Sequence, residues 1–490
     1  MSPPSAALTP SLGDRGGTAA RSPRLALACC LGAGLGTLVD SAVVSYTVPH
    51  LRSQLHAPTG AVQWFLSAYS LTFGLGLVPA GRLGDVHGRR RLFVLGLLVF
   101  SAGAVASALA GDVRFGVGGR LVQGFGAGLV SAQVLGIIQD EFAGGARVRA
   151  LASYSMAGAA AVIVGPLLSG LALGGLPAAI GWRVVLLLSV PVVLATAALG
   201  IRLPAPAPAP ARNRRPDLDL PGIALLGTIV TLVTLPAIGP GMPVRTATAL
   251  AAVVGVLAVV LAGWERRYAR RGRVPLFVPV LMRSPGFVLG NVVALLWFGS
   301  VVAQGAAVTL FLLQGQGQGL APLAVATVLV PSALARIASS WWSSRLYRRL
   351  GPAAVTVGLA GQTLGTAGVL AATSIRDGAG FVAAIVAVEV AMGTASGLVE
   401  PPLRAVTLGF APDAYRGVAA SFLQLSQRLS ATFCVALVTG LVLGPSAAGV
   451  SRPGFRTAAA LCTLLAGIAA LLSRHPALRP DRRTVEGRIR

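Results

Sequence analysis

The chain has 490 residues, of which 54% are hydrophobic and only 11% charged, less than half the charge of an ordinary soluble domain. That balance excludes a large water-soluble domain and leaves room for many apolar helices of about 20 residues, the length that crosses a bilayer. The net charge is +25 and all 40 basic residues are arginine. They stand in short clusters between apolar runs, as the flanks of membrane helices do, and not on one polar module, as nucleic-acid binding would require.

Residues 1–24 are rich in Pro, Ser, Gly and Ala and read as a disordered cytoplasmic tail. The apolar run that follows is longer than the h-region of a cleaved signal, about 7–15 residues, and it contains Asp40, so it reads as a first span. About fourteen spans are expected on the length criterion. They are Leu25–Pro49, Val62–Ala80, Leu92–Gly111, Phe115–Ile138, Leu151–Leu173, Val184–Ile201, Leu220–Ile238, Thr246–Ala262, Phe287–Leu313, Leu323–Trp342, Ala353–Ala372, Phe381–Leu403, Val418–Leu443 and Thr457–Ser473. Cys29, Cys30, Cys434 and Cys462 fall inside these runs without metal-ligand spacing and read as buried thiols.

An even number of spans puts both termini on one side. That side collects Arg82, Arg89, Arg90 and Arg91, then Arg147 and Arg149, Arg212, Arg214 and Arg215, Arg266 to Arg273, and Arg345, Arg348 and Arg349. The other side has isolated arginines such as Arg52, Arg114, Arg245 and Arg376. The bias predicts cytoplasmic termini. The alternating prolines before Arg212 cannot continue a helix and read as a stiff connector. The expected fold is all-α and polytopic: a six-helix bundle over 25–201, a Pro/Ala/Arg linker over 202–219, two extra helices with a basic loop over 220–286, a second six-helix bundle over 287–473, and a basic tail over 474–490.

The two bundles read as diverged copies. Arg82-Leu83 and Gly88 form a frame that Arg345-Leu346 and Gly351 repeat after the second span of the last unit. Gly124, Gly126 and Gly128 correspond to Gly393, Ala395 and Gly397. Four residues before each run stands a charge, Arg120 in one copy and Glu389 in the other. Paired repeats are how many transporters build a site between halves.

An ionised side chain in hydrocarbon costs at least about 2.5–3.5 kcal/mol, so it faces a cavity or a partner. The candidates are Asp40, Arg120, Arg336, Glu389, Glu400 and Arg428. A carboxylate whose surroundings alternate between wet and dry takes up and releases a proton, which makes Asp40 a natural carrier; the alternative is a static ion pair with Arg120. Arg120 keeps its charge at physiological pH and, beside Gln123, favours an ionised neighbour. Glu389 is suited to bind a cation, to carry a second proton, or to pair with Arg428 or Arg336. Glu400, before Pro401-Pro402, reads as solvated at a span end. Gln123, Glu389 and Arg428 are candidate cavity residues.

The stretch Gly81–Arg91 reads as a loop between the second and third spans, with Gly81 and Gly88 allowing a tight turn. Asp85 is a lone carboxylate among Arg82, Arg89, Arg90 and Arg91, a cluster fit to latch one conformation and release another. In the fifth span Gly165-Pro166 interrupts and bends the helix, and Gly158, Gly165 and Gly170 admit a close neighbour.

These residues carry a resemblance. Gly81–Arg91 resembles the signature loop of the fourteen-span drug:proton antiporter branch of the major facilitator superfamily. Gly119–Gly128 is similar to its span-four motif, whose arginine falls on Arg120, and Gly165-Pro166 with Gly170 resembles its span-five antiporter motif. Asp40 to Pro49 matches its first-span spacing, with Ala42 and Ser45 where Thr and Asn are usual. Gly181-Trp182-Arg183 and Glu265-Arg266-Arg267 are also similar. The resemblance implies proton-coupled export of drug-like or antibiotic molecules by alternating access, with Asp40 and Arg120 in the coupling. It also implies a multi-pass protein of the cell membrane that acts as a monomer, with small-molecule substrate and protons as its partners in a lipid bilayer. No cofactor, metal, nucleic acid or enzymatic activity is expected, since no HExxH, phosphate loop or nucleophile–base pair is present. A symporter of the same fold and a non-transporting membrane receptor are the rival readings.

Overall fold

The computed structural model describes residues 23–142, 144–203, 218–238, 243–273, 275–314, 318–412, 415–444 and 450–478. The N-terminal tail, residues 204–217 of the linker and residues 479–490 of the basic tail lie outside the described residues. Every regular element among the described residues is helical. In chain order they are α1 Pro23–Val43, α2 Val48–Gln54, α3 Thr59–His87, α4 Arg89–Ala108, α5 Val113–Glu141, α6 Gly144–Gly175, α7 Ala178–Leu187, α8 Val190–Gly200, α9 Leu220–Ile238, α10 Val244–Arg270, α11 Pro279–Met282, α12 Pro285–Leu313, α13 Pro322–Leu350, α14 Ala353–Ala372, α15 Gly378–Gly409, α16 Arg416–Leu443 and α17 Arg452–Leu472. Twelve helical stretches are long and apolar enough to cross a membrane. The helix α3 brackets the second expected span, and the shorter apolar α9 brackets the seventh. Lipid cannot satisfy backbone N–H and C=O groups, so a chain this apolar closes them within helices.

Two local expectations are corrected. The stretch from Gly81 to Arg91 is not an open loop: α3 runs to His87, α4 starts at Arg89, and Gly88 alone makes the turn, at φ +91°. Gly81 is helical and meets nothing across from it. The fifth span is not interrupted, because α6 continues through Pro166. The sixth expected span corresponds to one apolar stretch, Ala178–Gly200, in which α7 gives way to α8 where Pro191 lacks the N–H that would bond back into α7. The repeated frame survives these corrections, since Gly351 ends α13 at φ +56° as Gly88 ends α3.

Close backbone approach builds each half around one helix. An added Cβ would lie 2.2 Å from the Tyr69 carbonyl oxygen at Gly124 and 2.6 Å from that of Phe73 at Gly128, both on α3. At Gly126 it would lie 2.4 Å from the Phe100 nitrogen on α4. In the second half Gly393 and Gly397 of α15 meet the Ser332 and Arg336 carbonyls of α13 in the same way, while Ala395 faces Gly358 and Gly361 of α14. Small residues let these helices touch where lipid gives no hydrophobic drive to associate.

The two ends of the molecule differ. At the arginine-poor end, Tyr46, Leu51 and Phe65 share a single apolar core with Phe311, Phe381, Val435 and Phe455 of the second half. Phe311 stacks on Phe455 with centroids 4.3 Å apart. At the arginine-rich end the cores are separate, with Phe73, Phe93 and Phe100 in one and Trp297, Leu359, Leu403 and Leu423 in the other. On one flank α9 and α10 cover the seam between α3 and α16 through Leu75, Leu226, Leu261 and Leu425. On the other flank α6 meets α13 where Gly170 faces Leu323, near the arginine-poor end.

The helices α9 and α10 are fastened to each other at the arginine-rich end by Asp219. Its carboxylate accepts from Gly222 N at 3.2 Å, capping α9, and from Trp264 Nε1 of α10 at 2.7 Å. Glu265, also buried, accepts from Phe277 N at 3.1 Å. These bonds tie α10 to the segment that leads into the second half.

The packing predicts a contrast. Gly126→Ala lowers the thermal midpoint of the detergent-solubilised protein, since overpacking costs about 1–3 kcal/mol. Gly118→Ala, where the added carbon meets nothing within 4 Å, holds or raises the midpoint, because Ala is favoured over Gly in a helix by about 0.8–1 kcal/mol. Equal midpoints would show that the α4–α5 contact is not limiting.

Candidate functional site

Asp40 lies in the last turn of α1, about 25 Å along the helix from Pro23. Arg120 lies about 10 Å into α5 from Val113. Arg120 thus lies nearer the arginine-poor end of α5, as its place near the start of the fourth span suggested, and Asp40 lies near the middle of the stretch Pro23–Gln54. Arg120 Nη1 donates to Asp40 Oδ2 at 2.7 Å and to Gln123 Oε1 at 2.8 Å. Gln123 Nε2 donates to Asp40 Oδ1 at 2.9 Å. Both carboxylate oxygens are therefore engaged, and Asp40, Arg120 and Gln123 are each only 1% exposed.

The surroundings of the triad are aromatic. The Arg120 guanidinium lies 4.6 Å from the Tyr69 ring centroid and 5.8 Å from that of Phe65. Tyr69 in turn donates to the Thr37 carbonyl on α1 at 3.3 Å. Arg120 Nε has no partner. Ring faces hold a cation through their quadrupole, and the pair offsets part of the desolvation that each charge would suffer alone.

The other intramembrane charges are arranged differently from the pairings weighed in the sequence. Arg336 pairs with Glu400, Nη2 to Oε2 at 2.6 Å, so Glu400 is not simply solvated and Arg336 is not available to Glu389. Glu389 is 7% exposed and accepts weakly from Ser332 Oγ at 3.5 Å. Its Oε1 is unpartnered. Arg428 of α16 does not reach Glu389 either; it lies over the Phe73 ring of α3, 3.9 Å from the centroid.

At the turn between α3 and α4, Arg89 Nε pairs with Asp140 Oδ2 of α5 at 3.1 Å, and its guanidinium fills the space above Gly136. Arg90 donates to the Ile201 carbonyl at the end of α8. Arg82 donates to the Pro275 carbonyl at 3.3 Å, touching the segment before the second half. The Asp85 side chain lies outside the described residues. Along α6, Gly158 faces Leu38, and Gly165 faces Val39 and Val43 of α1, whereas Gly170 faces Leu323 of α13. Pro166 sits between these contacts within the continuous helix.

The structure brings Asp40 and Arg120 together with Gln123, which the sequence placed among the candidate cavity residues. Sequence reasoning did not single out every contributor. It missed Asp140, Phe65, Tyr69, Phe73 and Asp219. The aromatic trio was detectable, since residues four apart share one face of a helix. Asp140 and Asp219 stand at helix ends, where a carboxylate carries no depth signal.

Comparison with known proteins follows the geometry. The Major Facilitator Superfamily profile matches residues 30–435. The chain is 29% identical over 457 residues to a protein named probable actinorhodin transporter from Streptomyces coelicolor, covering 90% of this chain and 77% of that one. It is 30% identical over 356 residues to the tetracenomycin C resistance and export protein of Streptomyces glaucescens, covering 71% and 62%. It is 29% identical over 430 residues to the cephamycin export protein of Amycolatopsis lactamdurans, covering 86% and 85%. Among solved structures, an auto-inhibited POT family peptide transporter superposes with TM-score 0.65 at 19% identity, covering 92% of this chain and 97% of that one. The chain therefore belongs to the major facilitator superfamily, a family of membrane transporters and not of enzymes.

Proposed function

We propose that this protein exports small antibiotic- or drug-like organic molecules from the cytoplasm in exchange for protons, by alternating access. The observation that carries the reading is the dry triad in which Arg120 and Gln123 occupy both oxygens of Asp40. The curated relatives named as antibiotic exporters support the direction and the substrate class. On this reading fourteen spans, α3 and α9 included, form a bundle over 25–201, two extra helices within 220–286 and a second bundle over 287–473. The arginine-rich face, with both termini, is cytoplasmic, and the protein works as a monomer in the cell membrane.

The two ends of the bundle fit this cycle. A joined core at the arginine-poor face and separate cores at the other are what a state open towards the cytoplasm requires. The closed half also buries polar atoms without partners: Tyr46 Oη, Ser67 Oγ, the Gln304 amide and Thr439 Oγ1. Each such atom costs about 1–3 kcal/mol, a cost relieved when that half opens to water. Closure is thus held near balance with opening, as a two-state device needs. In the open-outward state Asp40 receives its proton, and substrate leaves. One charge crossing 100 mV supplies about 2.3 kcal/mol, and each pH unit adds about 1.4 kcal/mol.

Asp40→Asn is expected to abolish dye movement driven by a pH gradient in proteoliposomes, with fluorescein and rhodamine 6G as probes, while the variant still extracts as folded protein. Normal gradient-driven movement by that variant would remove Asp40 from the coupling. Uptake in place of efflux would establish symport. For the ion pair itself, Arg120→Gln is expected to cost about 3–5 kcal/mol by stranding a buried carboxylate. Adding Asp40→Asn to it restores part of that loss, as read from unfolding midpoints in a double-mutant cycle. Strict additivity would mean that the two side chains do not interact.

A further inference from the structure

Arg428 is the deep cation that the coupling scheme does not use. It lies about 18 Å along α16 from its arginine-rich end, with fifteen residues of helix beyond it. Among the described residues it has no carboxylate partner, in contrast to Arg120 and Arg336. What surrounds it is aromatic and comes from the opposite half. The Phe73 ring is 3.9 Å from its guanidinium carbon, and its Cβ packs where Gly74 offers no side chain. Arg404 is exposed at the arginine-rich end of α15.

The charge balance of this region is one-sided. Arg336 and Glu400 cancel, leaving Arg404 and Arg428. Asp40 is sealed in its own pair, and Glu389 is buried against α13 and accepts from Ser332. Arg428 itself retains partial exposure, on the side where the two cores are separate. An uncompensated guanidinium at this depth is costly, and aromatic faces offset only part of the cost.

From this arrangement we infer that Arg428, backed by Phe73, is an anion subsite of the transport path, and that the substrate is an aromatic molecule bearing a carboxylate or phenolate. The inference deepens the export reading and rests on it. The anionic oxygen of such a molecule replaces the missing carboxylate partner of Arg428, and its ring lies beside the guanidinium that Phe73 backs. A lipophilic cation is disfavoured by the same charge. The site also touches the proton triad: Tyr69 and Phe73 have centroids 5.8 Å apart, and Tyr69 covers Arg120. Two rings and Arg120 therefore separate an anion at Arg428 from the Asp40 carboxylate.

Equilibrium binding to purified protein tests this separately from transport. Fluorescein and rhodamine 6G share a xanthene ring system and differ in charge, so fluorescence polarisation with each dye reads the sign of the site. The wild type is expected to bind fluorescein more tightly than rhodamine 6G. Arg428→Gln is expected to weaken fluorescein about tenfold, the size of one charge-assisted contact, and Arg428→Lys to recover part of it. Thermal midpoints establish that each variant is folded. Preference for rhodamine 6G, failure of fluorescein to bind, or equal fluorescein affinity in folded Arg428→Gln would overturn the subsite and leave Arg428 as a strut between α3 and α16. Charge-selective binding without movement under a pH gradient would instead overturn the export reading and leave the subsite standing.

Discussion

Arginine cannot shed its charge in a membrane protein, so each arginine carried into the bundle dictates what must surround it. Arg120 is answered by a carboxylate, an amide and two ring faces, all buried. Arg336 is answered by Glu400 in a half-exposed pair. Arg428 is answered by a ring face alone. Those arrangements place the three arginines in different roles: a sealed pair that changes only if a proton replaces the cation, a strut inside the second half, and a cation with capacity to spare.

The helices that present these charges reach each other through small residues. The glycines of α5 bring α3 and α4 to backbone contact, and the corresponding positions of α15 do the same for α13 and α14. Repetition of this contact gives two bundles with similar internal stiffness. Motion is then left to the contacts between them, where the shared core at one end gives way to separate cores at the other. The partnerless polar atoms of the closed half weaken that closure without loosening either bundle. At the turn after α3, Arg89 holds α5 through Asp140 and Arg90 holds the end of α8, while Arg82 of α3 reaches the chain leading to the second half.

The α3 aromatics unite these features. Phe65 and Tyr69 cover the guanidinium of the Asp40 triad, and Phe73 covers that of Arg428. One helix face thus backs both charges. A shift of α3 against α16 would alter the environment of each at once, which is the coupling the proposed exchange needs.

Depth was legible in the sequence because burying a charge is costly wherever it happens. Asp40, Arg120, Glu389 and Arg428 therefore stood out inside apolar runs, and the matched small residues revealed the internal repeat. Arginine clustering likewise separated the two faces. Partner choice was not legible. Arg336 selected Glu400 over Glu389, Arg428 selected a ring over a carboxylate, and Asp140 became the partner of Arg89. Side-chain reach of a few ångströms, fixed only once helices distant in sequence are packed, decides among groups that composition ranks equally. The turn at Gly88 and the continuity of α6 through Pro166 were settled in the same way, since neighbouring helices determine whether a glycine or proline breaks a helix or is absorbed by it.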